Sequence, residues 1–204
     1  MIRKEYPFLN SILNFIHWKT ISFYKDINIE SFQVSRKSVF NGANTVRFGS
    51  KVSSSSVIGY GTYISGPSTI IHNCIIGRYC SIASGVSIGL ENHDIYKFST
   101  HPIVNNLKVY QNNLKKGKTI IGNDVWIAAG SVILEGVKIG DGAVVGANST
   151  VIKDIPPYAV VVGSPSKIIK YRFNKEIIEK IYKYKWWNLD YKDLIKNIDR
   201  FDKK

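Results

Sequence analysis

Histidine is the side chain best suited to take a proton at neutral pH, because its imidazole changes charge near that range. This chain of 204 residues has four. His17 falls in an amphipathic N-terminal segment and His72 within a regular repeat, and both positions suit structural roles. His93 and His101 share a stretch, about 90 to 119, that fits no repeat. It also contains Tyr96, Phe98 and Tyr110, with a basic exit at Lys115-Lys116-Gly117-Lys118. His93 is the candidate general base. Gly89-Leu90-Glu91-Asn92-His93 comes directly after a repeat strand, so the ring would stand on a rigid support. Glu91, Asp94 or a backbone carbonyl could orient it. Cys74 and Cys80 have no histidine partners at ligand spacing, so no metal site is expected.

The element that must position His93 is the repeat before it. Every sixth residue from Val46 through Val52, Ile58, Ile64, Ile70, Ile76, Ile82 and Ile88 is aliphatic. Four residues after each of the first seven stands a small or β-branched companion: Ser50, Ser56, Thr62, Ser68, Cys74, Cys80 and Val86. A second run restarts at Ile121 and continues through Ile127, Ile133, Ile139, Val145 and Val151. A period of six matches neither a helix nor a simple alternating strand, and it predicts a parallel β-helix. The large residue of each hexad enters a narrow shaft, and the small one turns the corner. Ile121 is not a whole number of hexads after Ile88, so the intervening chain must leave the coil and return. Long excursions from a compact solenoid are usually functional. The two cysteines occupy corner positions on adjacent faces of one coil, too far apart for a disulfide.

The flanks read differently. Residues 1–45 form a helical cap and lead-in, 46–165 the β-helix with its excursion, and 166–204 a basic helical tail. In the first, Tyr6, Phe8, Leu9, Ile12, Leu13 and Ile16 recur at helical spacing. Such a helix would cap the open end of the shaft, or dock on a membrane surface through Lys4, Trp18 and Lys19. In the tail, Asn174 reads as a helix N-cap and two short helices break around Trp187 to Asp190. The net charge of +13 is concentrated there, with 12 basic against six acidic residues after Ser166. A solvated face, a polyanionic cofactor, an acidic glycan and an anionic membrane are all open as reasons. Nucleic acid is not expected, since no nucleic-acid-binding signature is present. No stretch reaches membrane-spanning length and no signal-peptide pattern opens the chain, so a cytoplasmic location is expected.

The repeats, with Ile121-Gly122-Asn123-Asp124-Val125-Trp126-Ile127, Lys153-Asp154-Ile155-Pro156-Pro157-Tyr158, Gly163-Ser164-Pro165-Ser166-Lys167 and Lys185-Trp186-Trp187-Asn188, carry a resemblance. Over roughly residues 46 to 200 the chain resembles the hexapeptide-repeat acyltransferases, in the branch of xenobiotic acetyltransferases and sugar O-acetyltransferases. The resemblance implies a left-handed coil, a homotrimer, and acetyl-coenzyme A lying between neighbouring subunits. It implies His93 as the catalytic base, a few residues before Phe98-Ser99-Thr100-His101-Pro102. His101 and Tyr96 then fall to acceptor binding. Ala129 and Ala147 lie against the pantetheine arm, and Lys153, Lys167 and Lys170 meet the phosphates. Trp126, outward in its hexad, lines the groove near the thioester and the acceptor.

The acceptor is the least determined element. A complete series of coils before His93 and a basic surface favour a sugar hydroxyl of a surface polysaccharide or its precursor. O-acetylation of chloramphenicol- or streptogramin-type antibiotics is the alternative, as is N-acetylation of a nucleotide sugar. A non-catalytic scaffold is a further reading, disfavoured by His93 and the lysines.

Overall fold

A computed structural model of the chain describes residues 7–90, 93, 95, 98–101 and 117–201. The hexads dictate strands of two to four residues, each ending where the small companion allows the backbone to turn. They stack into three parallel sheets that form the sides of a left-handed β-helix of about six turns. Sheet 1 contains β1 (Ile27–Ile29), β3 (Asn44–Val46), β6 (Tyr63–Ile64), β9 (Ser81–Ile82), β12 (Trp126–Ile127), β15 (Val144–Val145), β17 (Ala159–Val162) and, antiparallel at its end, β18 (Lys167–Tyr171). Sheet 2 runs through β4 (Lys51–Val52), β7 (Ile70–Ile71), β10 (Ser87–Leu90), β13 (Val132–Leu134) and β16 (Thr150–Val151). Sheet 3 runs through β2 (Val39–Phe40), β5 (Val57–Ile58), β8 (Cys74–Ile76), β11 (Thr119–Ile121) and β14 (Lys138–Ile139). The first coil starts at Ile27, within the lead-in, where Val34 bridges to Val52.

The core is one column of aliphatics from Ile29 to Val161, lined at the corners by the companions. Several companions can be polar because their hydroxyls donate to carbonyls of the next coil. Thr62 Oγ1 reaches Gly77 O at 2.8 Å and Ser131 Oγ reaches Gly146 O at 2.9 Å. Cys80 does the same with sulfur, its Sγ lying 3.0 Å from Gly122 O. Both cysteines are free and buried, and burial pushes each thiol up to about 12.

One hexad departs from the simple count. Ile70 is not an inward residue, and Ser68 does not fill the corner after Ile64. Ile71 is 1% exposed and pairs with Val52 and Ile88, while Thr69 fills the corner. The Gly66-Pro67-Ser68 corner is one residue longer than its neighbours, with Ser68 at φ +63°. The next corner is one residue shorter, so Ile76 returns to phase. Two compensating slips left the period intact on paper, because Ile70 and Ile71 are both isoleucine.

At the N-terminal end, helix α1 (Pro7–Tyr24) covers the shaft. Trp18 is 3% exposed; its Nε1 donates to Val34 O at 3.1 Å and its ring meets Phe40 edge-on. Trp18 therefore belongs to the core and cannot anchor a membrane contact. At the other end the chain doubles back through β18 before α2 (Lys175–Tyr184), a 3-10 turn (Trp186–Asn188) and α3 (Tyr191–Phe201). Asn174 caps α2, its side chain accepting from Ile177 N at 2.9 Å. These helices lie outside the shaft along the edge where sheets 3 and 1 meet. Arg78 and Tyr79 both donate to Leu189 O, Tyr79 packs on Trp186, and Tyr60 Oη accepts from Tyr191 N.

Candidate functional site

His93 follows β10 at the edge between sheets 2 and 3, and the chain returns to the shaft at β11. β8 pairs directly with β11, Cys74 opposite Thr119 and Ile76 opposite Ile121, so sheet 3 closes beneath the excursion. Gly89 makes the exit possible. Its φ is +74°, and a Cβ there would lie 2.0 Å from His72 O, so no other residue fits. His93 Nδ1 lies 2.6 Å from Thr100 O. A carbonyl can only accept, so Nδ1 carries the proton and, in the neutral ring, Nε2 keeps its lone pair. Among the described residues, a backbone carbonyl is thus the partner seen for the imidazole. His101 stands nearby, its backbone N–H donating to Ser99 Oγ at 3.0 Å. Both rings are exposed. Tyr96, Glu91, Asp94, Lys115 and Lys116 lie outside the described residues.

The other candidates fall into two places. Trp126 is 53% exposed on the outward face of sheet 1. Its register neighbours are Ser81 and Val144, then Tyr63 beyond Ser81 and Val160 beyond Val144. Lys170 pairs with Val160, and Lys167 with Val162, at the end of that sheet. Ala129 and Ala147 stack at the edge between sheets 1 and 2, where Asn148 N donates to Ala129 O at 2.9 Å. Both alanines are exposed and leave the backbone of that edge open. Lys153 instead sits on the edge between sheets 2 and 3, with His93. In a three-sided shaft that edge is opposite sheet 1. One copy of the chain therefore brings Trp126, the alanines, Lys167 and Lys170 to one side, and His93, His101 and Lys153 to another.

Tyr63 is the residue that hexad reading overlooks. It lies in the row of Trp126, and Arg47, itself paired with Glu30 at 2.7 Å, lies 6.0 Å above its ring. Hydrogen bonding to Arg47 lowers its pKa. The available signal was the spacing of three hexads, which puts residues 63 and 81 in adjacent coils of one sheet. Among the described residues, no cluster of His, Cys, Asp and Glu could hold a metal. No helix among them is long and apolar enough to cross a membrane.

Residues 118–153 match the bacterial transferase hexapeptide (six repeats) family. A protein of Lysinibacillus sphaericus named as a probable macrolide acetyltransferase is 40% identical over 136 residues, which is 61% of this chain and 74% of that one. The chain belongs to the hexapeptide-repeat acetyltransferases. Within this family, chloramphenicol acetyltransferase of Klebsiella aerogenes is 41% identical over 58% of this chain and 60% of its own length. A protein of Escherichia coli K12 assigned to lipopolysaccharide biosynthesis as an O-acetyl transferase is 40% identical over 52% of this chain and 54% of its own. The chain thus spans between half and three quarters of these relatives. The acetyltransferase domain of PglB from Neisseria gonorrhoeae, solved with acetyl coenzyme A, superposes with a TM-score of 0.55 at 19% identity, covering 78% of this chain and 67% of its own. At that identity the likeness concerns the fold.

Proposed function

We propose that this hexapeptide-repeat acetyltransferase moves an acetyl group from acetyl-coenzyme A to a sugar hydroxyl, with His93 as general base. The observation that carries the proposal is the His93 Nδ1 contact to Thr100 O, which leaves Nε2 free to accept a proton. In that reaction Nε2 takes the hydroxyl proton as the acceptor oxygen attacks the thioester carbonyl. When the carbon–sulfur bond breaks, the imidazolium returns the proton to the departing sulfur, leaving an acetyl ester and free coenzyme A. The donor would lie along the edge of Ala129 and Ala147, its phosphates towards the ammonium groups of Lys167 and Lys170, with Trp126 near the thioester. Small side chains and cations are the chemistry that a pantetheine arm and phosphates require.

The site is shared between copies in this reading. His93 is exposed on the isolated chain, and thioester chemistry needs water kept out. Seating sheet 1 of one copy against the His93 edge of the next would supply Trp126 and the donor groove, and three such contacts close a ring. Lys153 would then reach the donor from the copy that supplies His93, and Tyr96 and His101 would meet the acceptor.

The sugar acceptor rests on the unbroken coils before His93, the basic surface and the lipopolysaccharide-related relative. The macrolide- and chloramphenicol-directed relatives support an antibiotic acceptor as the second reading. Mass spectrometry after incubation with acetyl-coenzyme A and either surface-glycan fragments or the two antibiotics separates them. An acetyl ester on the glycan, cleaved by hydroxylamine, is the expected product. Modification of the antibiotics alone would overturn the sugar reading, and a hydroxylamine-resistant amide would overturn O-transfer.

A further inference from the structure

Helix α1 is apolar on both sides. Its inner side holds Trp18 against the shaft, which is the ordinary task of a cap. At about 100° per residue, Leu9, Leu13, Ile16, Phe23 and Tyr24 fall within a continuous arc roughly 100° wide, centred opposite Trp18. All five are exposed, Phe23 by 85% and Tyr24 by 80%. A cap needs only one apolar side, so the outer stripe is unexplained by the fold.

Charge around the stripe indicates what covers it. The helix contains no acidic residue. Lys19 borders the stripe and Lys25 follows the last turn, both exposed. Asn14 Oδ1, on the side of Trp18, accepts from Arg36 N at 3.2 Å, so the exposed pair Arg36 and Lys37 lies by the inner side and not along the stripe. Among the nearby described acids, Glu30 is engaged by Arg47, and Asp26 adjoins Lys25, so that those two residues add no net charge. An apolar stripe bordered by Lys19, on a helix without acids, complements an anionic bilayer surface, into which the side chains would sink while the ammonium meets phosphate. A second copy seated face to face would offer Lys19 no acid from its own helix.

We propose that the outer face of α1 docks the protein on anionic lipid, lying in the interface without crossing it. The inference is independent of the acceptor and of the chemistry at His93. It differs from the docking suggested by sequence, because Trp18 points inward and the contact is made by the opposite side.

The test is flotation of the intact protein with vesicles, scored by bound fraction. Vesicles containing phosphatidylglycerol should carry the protein, and pure phosphatidylcholine should not. Leu9→Glu with Ile16→Glu should reduce binding on the order of tenfold or more. Lys19→Glu should reduce it about fivefold. Thermal unfolding of each variant should match the parent, since these side chains are exposed. Failure of the wild type to float with phosphatidylglycerol at low salt would overturn the proposal. So would undiminished binding by the double variant, which would assign the attraction to the basic tail. If the double variant instead lowers the sedimentation coefficient without lipid, the stripe is covered by another copy, and the proposal is equally overturned.

Discussion

The two long edges bounding sheet 3 are built for opposite purposes. Where sheet 3 meets sheet 1, coil after coil is tied down by the C-terminal helices. Arg172 joins Asp124 and Gly142 O at 2.9 and 2.8 Å, and Tyr158 is buried between Phe173 and Tyr182. Where sheet 3 meets sheet 2, the chain departs after β10, and the exposed His93 contacts the carbonyl of Thr100. On the first edge burial raises Asp124, Tyr158 and Tyr182. They are structural, while the candidate base lies on the other edge.

The sharpest test of that contrast is His93→Ala. Turnover should fall by about 10²–10⁴ with the melting temperature unchanged. Wild-type transfer in the variant would place the base elsewhere. Next in size is the register within the shaft. Ile71→Ala should cost about 2–5 kcal/mol, whereas Ile70→Ala should cost under about 1 kcal/mol, as measured by denaturant unfolding. Equal costs would restore the unshifted hexad.

On the anchored edge, Arg172→Ala leaves Asp124 partly buried without its cation and should cost about 2–3 kcal/mol. Asp124 already has a folded pKa above its ordinary value, mainly through burial. The folded state therefore binds the proton more tightly than the unfolded chain, and this group's contribution falls as pH rises through that window. Acidification neutralises the stranded carboxyl, so the gap between Arg172→Ala and wild type should narrow as pH falls. A gap independent of pH would mean that Arg172 acts only through its packing on Phe173.

Smaller effects are expected away from both edges. Lys170→Ala should raise the Michaelis constant for acetyl-coenzyme A roughly three- to tenfold, less so in high salt. An unchanged constant would remove β18 from the donor groove. Cys74→Ser should cost about 1–2 kcal/mol and leave transfer intact, and both thiols should resist alkylation until the protein unfolds.

The shaft was legible from the sequence because each inward position is a large aliphatic with a small companion, a rule that backbone stacking enforces at every coil. Where the rule lapses, legibility lapses too. Ile70 and Ile71 are chemically identical, so the slip between them could not be seen. Trp18 has the composition of a membrane anchor, and only the position of Val34 shows that it is a lid. The β18 strand falls in a segment read as part of a helical tail, and its pairing with β17 depends on a reversal around Gly163. The place of His93 directly after a strand was legible. Its separation from Trp126 was not, since the side of a prism on which a residue falls depends on counting coils.

Because β8 and β11 meet as neighbours, the span between Leu90 and Thr119 is a parenthesis in the coil. The shaft registers only that the chain comes back, and loop closure grows slowly more expensive with length. Descendants of such a chain can lengthen, shorten or exchange that parenthesis without renegotiating the scaffold. New acceptors would then be reached by editing one segment, which offers a physical reason why relatives with one backbone bear the names of such different substrates.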